Sequence, residues 1–266
     1  MKNVVTASGR SVSAWAVVMI HLMFLFVSAN TSATAAPHIP KLPGIWLSQD
    51  AEHKMTPQNQ EQLEKSLRRI TGLPELQFTE DGKLVPGDLL SAAEGSATAR
   101  QILLCALGSR FVFIIEDHRS SPSVNFGQMD EGMNYEDMMA RCQLLIWRVR
   151  LDFDDFREMR ASPEVRDSFD AGFTMLHELL HGLGYRDAKE LEEVGQCEEL
   201  INQARKELEL PVRDRYFGEP IRIAPTVLTV RLRFSSKAKI EESSPVRSSR
   251  RRLHYVFFLV SPEPKP

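Results

Sequence analysis

The residues with the clearest chemical meaning are His177-Glu178-Leu179-Leu180-His181. On an α-helix, residues four apart lie on one face, one turn apart, so His177 and His181 can bind a single metal ion together. Glu178 lies about 100° around the helix from His177, beside such an ion. There its carboxylate can take a proton from a zinc-bound water. The spacing therefore indicates a zinc site that activates water.

A helix must present this motif, and the sequence predicts one that starts at Ser162-Pro163 and ends near Gly182 and Gly184. Serine is a good N-cap, proline fits the first helical position, and glycine favours helix termination. Apolar residues three or four apart mark the buried face of this helix: Val165, Phe169, Phe173, Leu176, Leu180 and Leu183. The histidines therefore lie in its last two turns.

The elements before this helix alternate between helical and extended patterns. A helix is predicted over residues 56–71, with Thr56 as its N-cap. A second helix is predicted over 96–107, where Ile102, Leu103 and Leu107 are apolar. Strands are predicted over 110–115 and 144–156, with a short polar edge strand at 123–129. This mixture predicts an α+β domain with a small mixed sheet over the motif helix.

The N-terminal region has the pattern of a secretory signal peptide. Lys2 and Arg10 precede an apolar run over residues 14–27, and small residues allow a cut after Ala35. We therefore expect an exported protein, periplasmic or secreted, with no stable membrane insertion after cleavage.

Length and composition indicate how many domains the remaining chain can form and which partners it can bind. With 266 residues, 42% hydrophobic, it can build one sizeable core, and a net charge of −3 gives no basic field for nucleic acid. We assign residues 1–35 to the signal peptide, 36–55 to a proline-rich linker and 56–218 to the main domain. Residues 219–266 are predicted to form a C-terminal β-hairpin appendix, which packs on the domain or offers a docking surface. The oligomeric state stays open.

A catalytic zinc site usually has three protein ligands. The motif supplies two, His177 and His181, so the third must come from elsewhere in the chain. A helix is predicted over residues 188–208, and Glu190 falls within its apolar stripe. If the two helices form an antiparallel hairpin, Glu190 lies one turn after the bend and His181 one turn before it. Glu198 would then lie about 12 Å further along. Glu190 is therefore the preferred third ligand, with Asp187, Glu193 and Glu198 as alternatives.

Asp187 has its own support. His177-Glu178-x-x-His181-x-x-Gly184-x-x-Asp187 resembles the extended metzincin motif, with aspartate in place of the last histidine. Metzincins carry a methionine turn after this motif, whereas the last methionine of this chain is Met175.

A different resemblance favours Glu190. Glu190-Leu191-x-x-Val194-Gly195 is similar to a segment of clostridial neurotoxin light chains and of bacterial type III effector zinc proteases, in which the glutamate binds zinc. Glu192-Glu193 replaces the Arg-Thr pair of those families.

A second segment resembles the effector proteases and contains these residues: Asn202, Arg205, Glu207, Leu210, Pro211, Arg213 and Tyr216. Glu209 stands where that pattern has glycine. The resemblance implies that Arg213 and Tyr216 stabilise the oxyanion of the transition state, a role for which donors beyond the metal are needed.

The resemblance implies a zincin-like metallopeptidase domain of α+β class that acts on a protein or peptide substrate. The expected activity is peptide-bond hydrolysis by an endopeptidase in which Glu178 activates a zinc-bound water. One alternative is a degenerate zincin, a zinc-stabilised binding module without turnover. Another is a non-enzyme in which the motif is coincidental.

Overall fold

The computed structural model describes residues 40, 42–119, 126–130, 145–190, 192–224, 227–237 and 251–260. The predicted signal peptide lies outside these residues. Within the described part of the chain, no helix is both long and apolar enough to cross a membrane.

The described elements confirm a mixed α+β fold with small sheets. The helices are α1 (Pro57–Thr71), α2 (Ala97–Gly108), α3 (Phe153–Glu158), α4 (Pro163–Ser168), α5 (Ala171–Gly182) and α6 (Gln196–Glu207). The strands are β1 (Gly44–Leu47), β2 (Gln77–Phe78), β3 (Leu84–Val85), β4 (Phe111–Asp117), β5 (Gly127–Asp130), β6 (Leu145–Leu151), β7 (Val212–Arg213), β8 (Glu219–Ala224), β9 (Val227–Lys237) and β10 (Arg251–Val260).

The main sheet has the strand order β1-β4-β6-β5. Strands β1, β4 and β6 are parallel, and β5 closes one edge antiparallel to β6. The prediction of a linker over 36–55 is wrong for residues 44–47, because Ile45 and Leu47 of β1 are buried in the core. The strand predicted over 144–156 ends at Leu151, since Asp152 then caps α3.

The helix that carries the motif is interrupted, although the sequence predicts it as continuous. Helix α4 ends at Ser168, and the Asp170 carboxylate caps α5 by accepting a hydrogen bond from the backbone N–H of Phe173. The same carboxylate accepts from Ser66 and Arg69 of α1. Because α1 thus holds the cap, the start of α5 is fixed against a second helix.

The C-terminal strands form a second sheet with the order β10-β9-β7, and β8 also pairs with β9. The antiparallel pairing of β9 with β10 confirms the predicted hairpin. The hairpin packs on the domain, which was one of the two predicted possibilities, because Leu232, Phe234 and Val256 belong to the same buried apolar cluster as α5. Burial of these side chains makes the hairpin part of the main core.

Candidate metal centre

Helix α5 and the turn after it bring three potential ligands together. Nε2 of His177 lies 3.1 Å from Oδ1 of Asp187, and Nε2 of His181 lies 3.1 Å from Oδ2 of the same carboxylate. With Cys197, these residues offer ligand atoms that all lie within 4.8 Å of one another. The two histidines are therefore brought together as predicted, and their carboxylate partner is Asp187.

Asp187 is held in place by a close approach of two backbone segments. Its main chain forms an isolated antiparallel bridge with Gly195. Gly195 has a φ of 82°, and a Cβ there would lie 2.2 Å from the backbone nitrogen of Ala188. Only glycine tolerates both the left-handed conformation and this contact. Gly195 therefore permits the fold-back that places Asp187 beside the histidines.

The structure corrects the geometric basis for Glu190. Helix α6 begins at Gln196, and the described residues before it, 188–190 and 192–195, are not helical, so no helical hairpin places Glu190 opposite His181. Glu190 and Glu193 are exposed, and Glu190 is outside the group of potential ligands. Among the predicted candidates for the third ligand, Asp187 is the one beside both histidines, because the chain folds back on itself before α6.

The donor set fits a metal ion. Oδ1 of Asp187 is buried, and it lies 3.1 Å from Nε2 of His177. Burial lowers the pKa of His181, but contacts with Asp187 and Cys197 outweigh it and raise this pKa to about 11. The carboxylate thus favours a positive charge at this position, and a metal ion bound there would take the place of the imidazole proton. Imidazole and carboxylate ligands suit zinc.

A second layer of side chains orients the two imidazoles. Nδ1 of His177 lies 3.5 Å from Oε2 of Glu198, and Nδ1 of His181 lies 3.5 Å from the Cys197 sulfur. Burial raises the pKa of Glu198, but Arg205 and Arg213 outweigh it and lower this pKa to about 2. The carboxylate therefore stays charged. Such partners fix the ring orientation of metal-binding histidines.

Glu178 lies beside the potential ligands, beneath the edge strand β5. Its side chain is buried, which raises its pKa, and it accepts a hydrogen bond from the backbone N–H of Met129. A Cβ at Gly127 would lie 2.4 Å from Cγ2 of Thr174, so β5 packs directly on α5. The edge strand predicted at 123–129 is confirmed for its described part, and residues 123–125 lie outside the described residues.

Tyr216 and Arg213, predicted as oxyanion donors, occupy different positions. The Tyr216 ring stacks on His177 with centroids 5.8 Å apart, and its hydroxyl hydrogen-bonds Asp187. Burial and the Asp187 carboxylate raise the pKa of Tyr216. Arg213 is not next to the potential ligands. It donates hydrogen bonds to Glu198, which lies behind His177, and to the carbonyl of Tyr216. Tyr216 therefore faces the metal group, whereas Arg213 supports it.

Sequence reasoning missed the contact that Cys197 makes with His181. Its place on the buried face of a predicted helix was the available signal, but that signal equally fits a core residue. Glu198 was considered as a ligand, and the structure places it behind His177 instead.

Comparisons of the chain with protein-family models, curated proteins and solved structures find no match. The interpretation of the site therefore rests on its own geometry.

Proposed function

We propose that the chain is a zinc-dependent peptidase of the zincin type, with His177, His181 and Asp187 as the zinc ligands. One observation carries this proposal. The side chains of His177, His181 and Asp187 converge, and the buried Glu178 lies beside them. Zinc bound there would polarise a substrate carbonyl and lower the pKa of a water molecule. The choice of Asp187 departs from the effector-protease pattern, in which the glutamate corresponding to Glu190 is the ligand.

The side chains around the site support roles in hydrolysis. Glu178 is placed to receive the proton of the attacking water and to pass it to the leaving amine. Burial raises the pKa of Glu178, and a raised pKa suits a carboxylate that accepts and returns a proton. Tyr216 can donate a hydrogen bond to the developing oxyanion once its hydroxyl leaves Asp187. Strand β5 is at the end of the strand order of the described main sheet, where an extended peptide could pair with it beside Glu178.

Replacement of Glu178 by glutamine tests the function. We expect Glu178→Gln to retain zinc and to lose at least about 100-fold in the rate of cleavage of a peptide library, because glutamine cannot accept the proton. Cleavage is followed by mass spectrometry, and Glu193→Gln, at an exposed position, is the control. Full activity of Glu178→Gln would refute the assigned mechanism. A wild-type protein that binds zinc and cleaves nothing would favour the binding module.

A further inference from the structure

A cavity opens beside the candidate metal centre, on the side of His177. It has a volume of about 770 Å³ with its open mouth. Its walls are mostly apolar and are formed by Phe126, Phe169, Phe173, Ile201, Val230 and Leu232. Such walls favour an apolar occupant, since burial of apolar surface is favourable and burial of an unpaired polar group is costly.

The charged side chains that line the cavity are two guanidiniums, of Arg205 and Arg213, and two carboxylates, of Glu178 and Glu198. Arg205 and Arg213 share one carboxylate, that of Glu198. Nε of Arg213 is buried and has no hydrogen-bond partner among the described residues. A cationic side chain that entered this cavity would lose its hydration and meet these guanidinium groups. The cavity therefore disfavours lysine and arginine.

The cavity is continuous with the reaction centre. A second cavity is lined by His181, Asp187 and Met129, among others, and the two cavities share Gly127, Glu178 and Tyr216. A peptide that pairs with β5 and places its carbonyl beside Glu178 would direct an adjacent side chain into the apolar cavity.

The wall next to β5 is held in an unusual conformation. Phe126 has a φ of 61°, and its backbone N–H donates to the Asp155 carboxylate at 2.9 Å. A left-handed backbone is unfavourable for a bulky residue, and such strain is often kept where the shape of a site matters. Asp155 thus helps to hold the aromatic ring in the cavity wall.

We propose that this cavity is a specificity pocket for a large apolar or aromatic side chain next to the scissile bond, and that it rejects lysine and arginine. The inference rests on the proposed peptidase function, because it assigns the substrate class of that site.

Matched peptides that differ only at the residue flanking the scissile bond test the pocket. For the wild-type protein, we expect kcat/KM for a phenylalanine peptide to exceed that for the alanine or lysine peptide by at least about tenfold. Ile201→Phe should narrow the cavity and reduce the phenylalanine-to-alanine ratio by about tenfold. Leu253→Phe, at an exposed position outside the cavity, should keep the ratio. Both peptides are measured with the same protein preparation. Loss of folded protein therefore lowers both kcat/KM values equally and leaves their ratio unchanged.

The outcomes separate the pocket from the peptidase activity. Cleavage without a side-chain preference, a preference for lysine or an acidic residue, or an unchanged ratio in Ile201→Phe would overturn the pocket and leave the peptidase intact. If no peptide is cleaved, the proposed function fails. Binding of the same peptides to the Glu178→Gln protein, measured by fluorescence polarisation, then decides the pocket. Tighter binding of the phenylalanine peptide by about tenfold supports it, and equal binding overturns it.

Discussion

Asp187 reaches the two histidines because the chain folds back to bridge Asp187 with Gly195, and α6 starts only at Gln196. His177, Glu178 and His181 could be predicted from the sequence, since a local helix fixes their spacing. The sequence offered Asp187 only as an alternative, and periodicity could not rank it above Glu190, because the position of Asp187 depends on the left-handed Gly195 and on the fold-back before α6. Periodicity alone made Glu190 look like part of a buried helical face.

Single substitutions at the two acidic residues distinguish these assignments. Asp187→Ala should weaken zinc binding by at least about 100-fold, more than the effect typical of an outer-layer residue, because it removes a ligand. Glu190→Ala, at an exposed position, should leave zinc affinity unchanged. Competition with a chromophoric chelator measures both affinities. The opposite ranking would restore Glu190 as the ligand.

Helix α5 is positioned by its contact with α1 as much as by its own sequence. The apolar stripe predicted a helix through the motif, and the described helix confirms it. The break before Ala171 arises from Asp170, whose carboxylate caps α5 and also binds α1. A pairing between residues about a hundred positions apart has no signature in local periodicity. Gly172 then allows α1 and α5 to pack closely.

Two glycine substitutions test this close packing. A Cβ at Gly172 would lie 2.2 Å from Oγ of Ser66, so Gly172→Ala should destabilise the fold by about 1–3 kcal/mol through overpacking. Gly108 is at the end of α2, and a Cβ there would meet nothing within 4 Å. Gly108→Ala should be neutral or stabilising by about 0.5 kcal/mol. Denaturant unfolding compares the two, and equal effects would contradict the packing argument.

The molecule has one main core that joins the motif helix to the C-terminal strands. The Arg205 guanidinium packs over Phe173 of α5 at 5.2 Å and over Phe234 of β9 at 5.5 Å. Alternating apolar residues predicted β9 as a strand, and a nearly continuous apolar run predicted β10. These patterns could not show that the strands pack into the main domain, because a free hairpin and a docked one share the same patterns.

Truncation of a buried residue in β9 tests this integration. Phe234 is fully buried, so Phe234→Ala should lower the free energy of unfolding by about 3–5 kcal/mol. Leu253 of β10 is 49% exposed, and Leu253→Ala should change the free energy of unfolding by less than about 0.5 kcal/mol. Chemical denaturation followed by circular dichroism gives both values. A small effect at Phe234 would restore the hairpin as an appendix.

The zinc content of the purified protein tests the central claim most directly. Elemental analysis after zinc loading and removal of free metal should give about one equivalent per chain, the stoichiometry of a single three-ligand site. The double variant His177→Ala/His181→Ala, with its circular dichroism checked for folding, should retain almost none. A folded wild-type protein without zinc, or a double variant that binds zinc equally well, would contradict the assignment of His177, His181 and Asp187 as a zinc site.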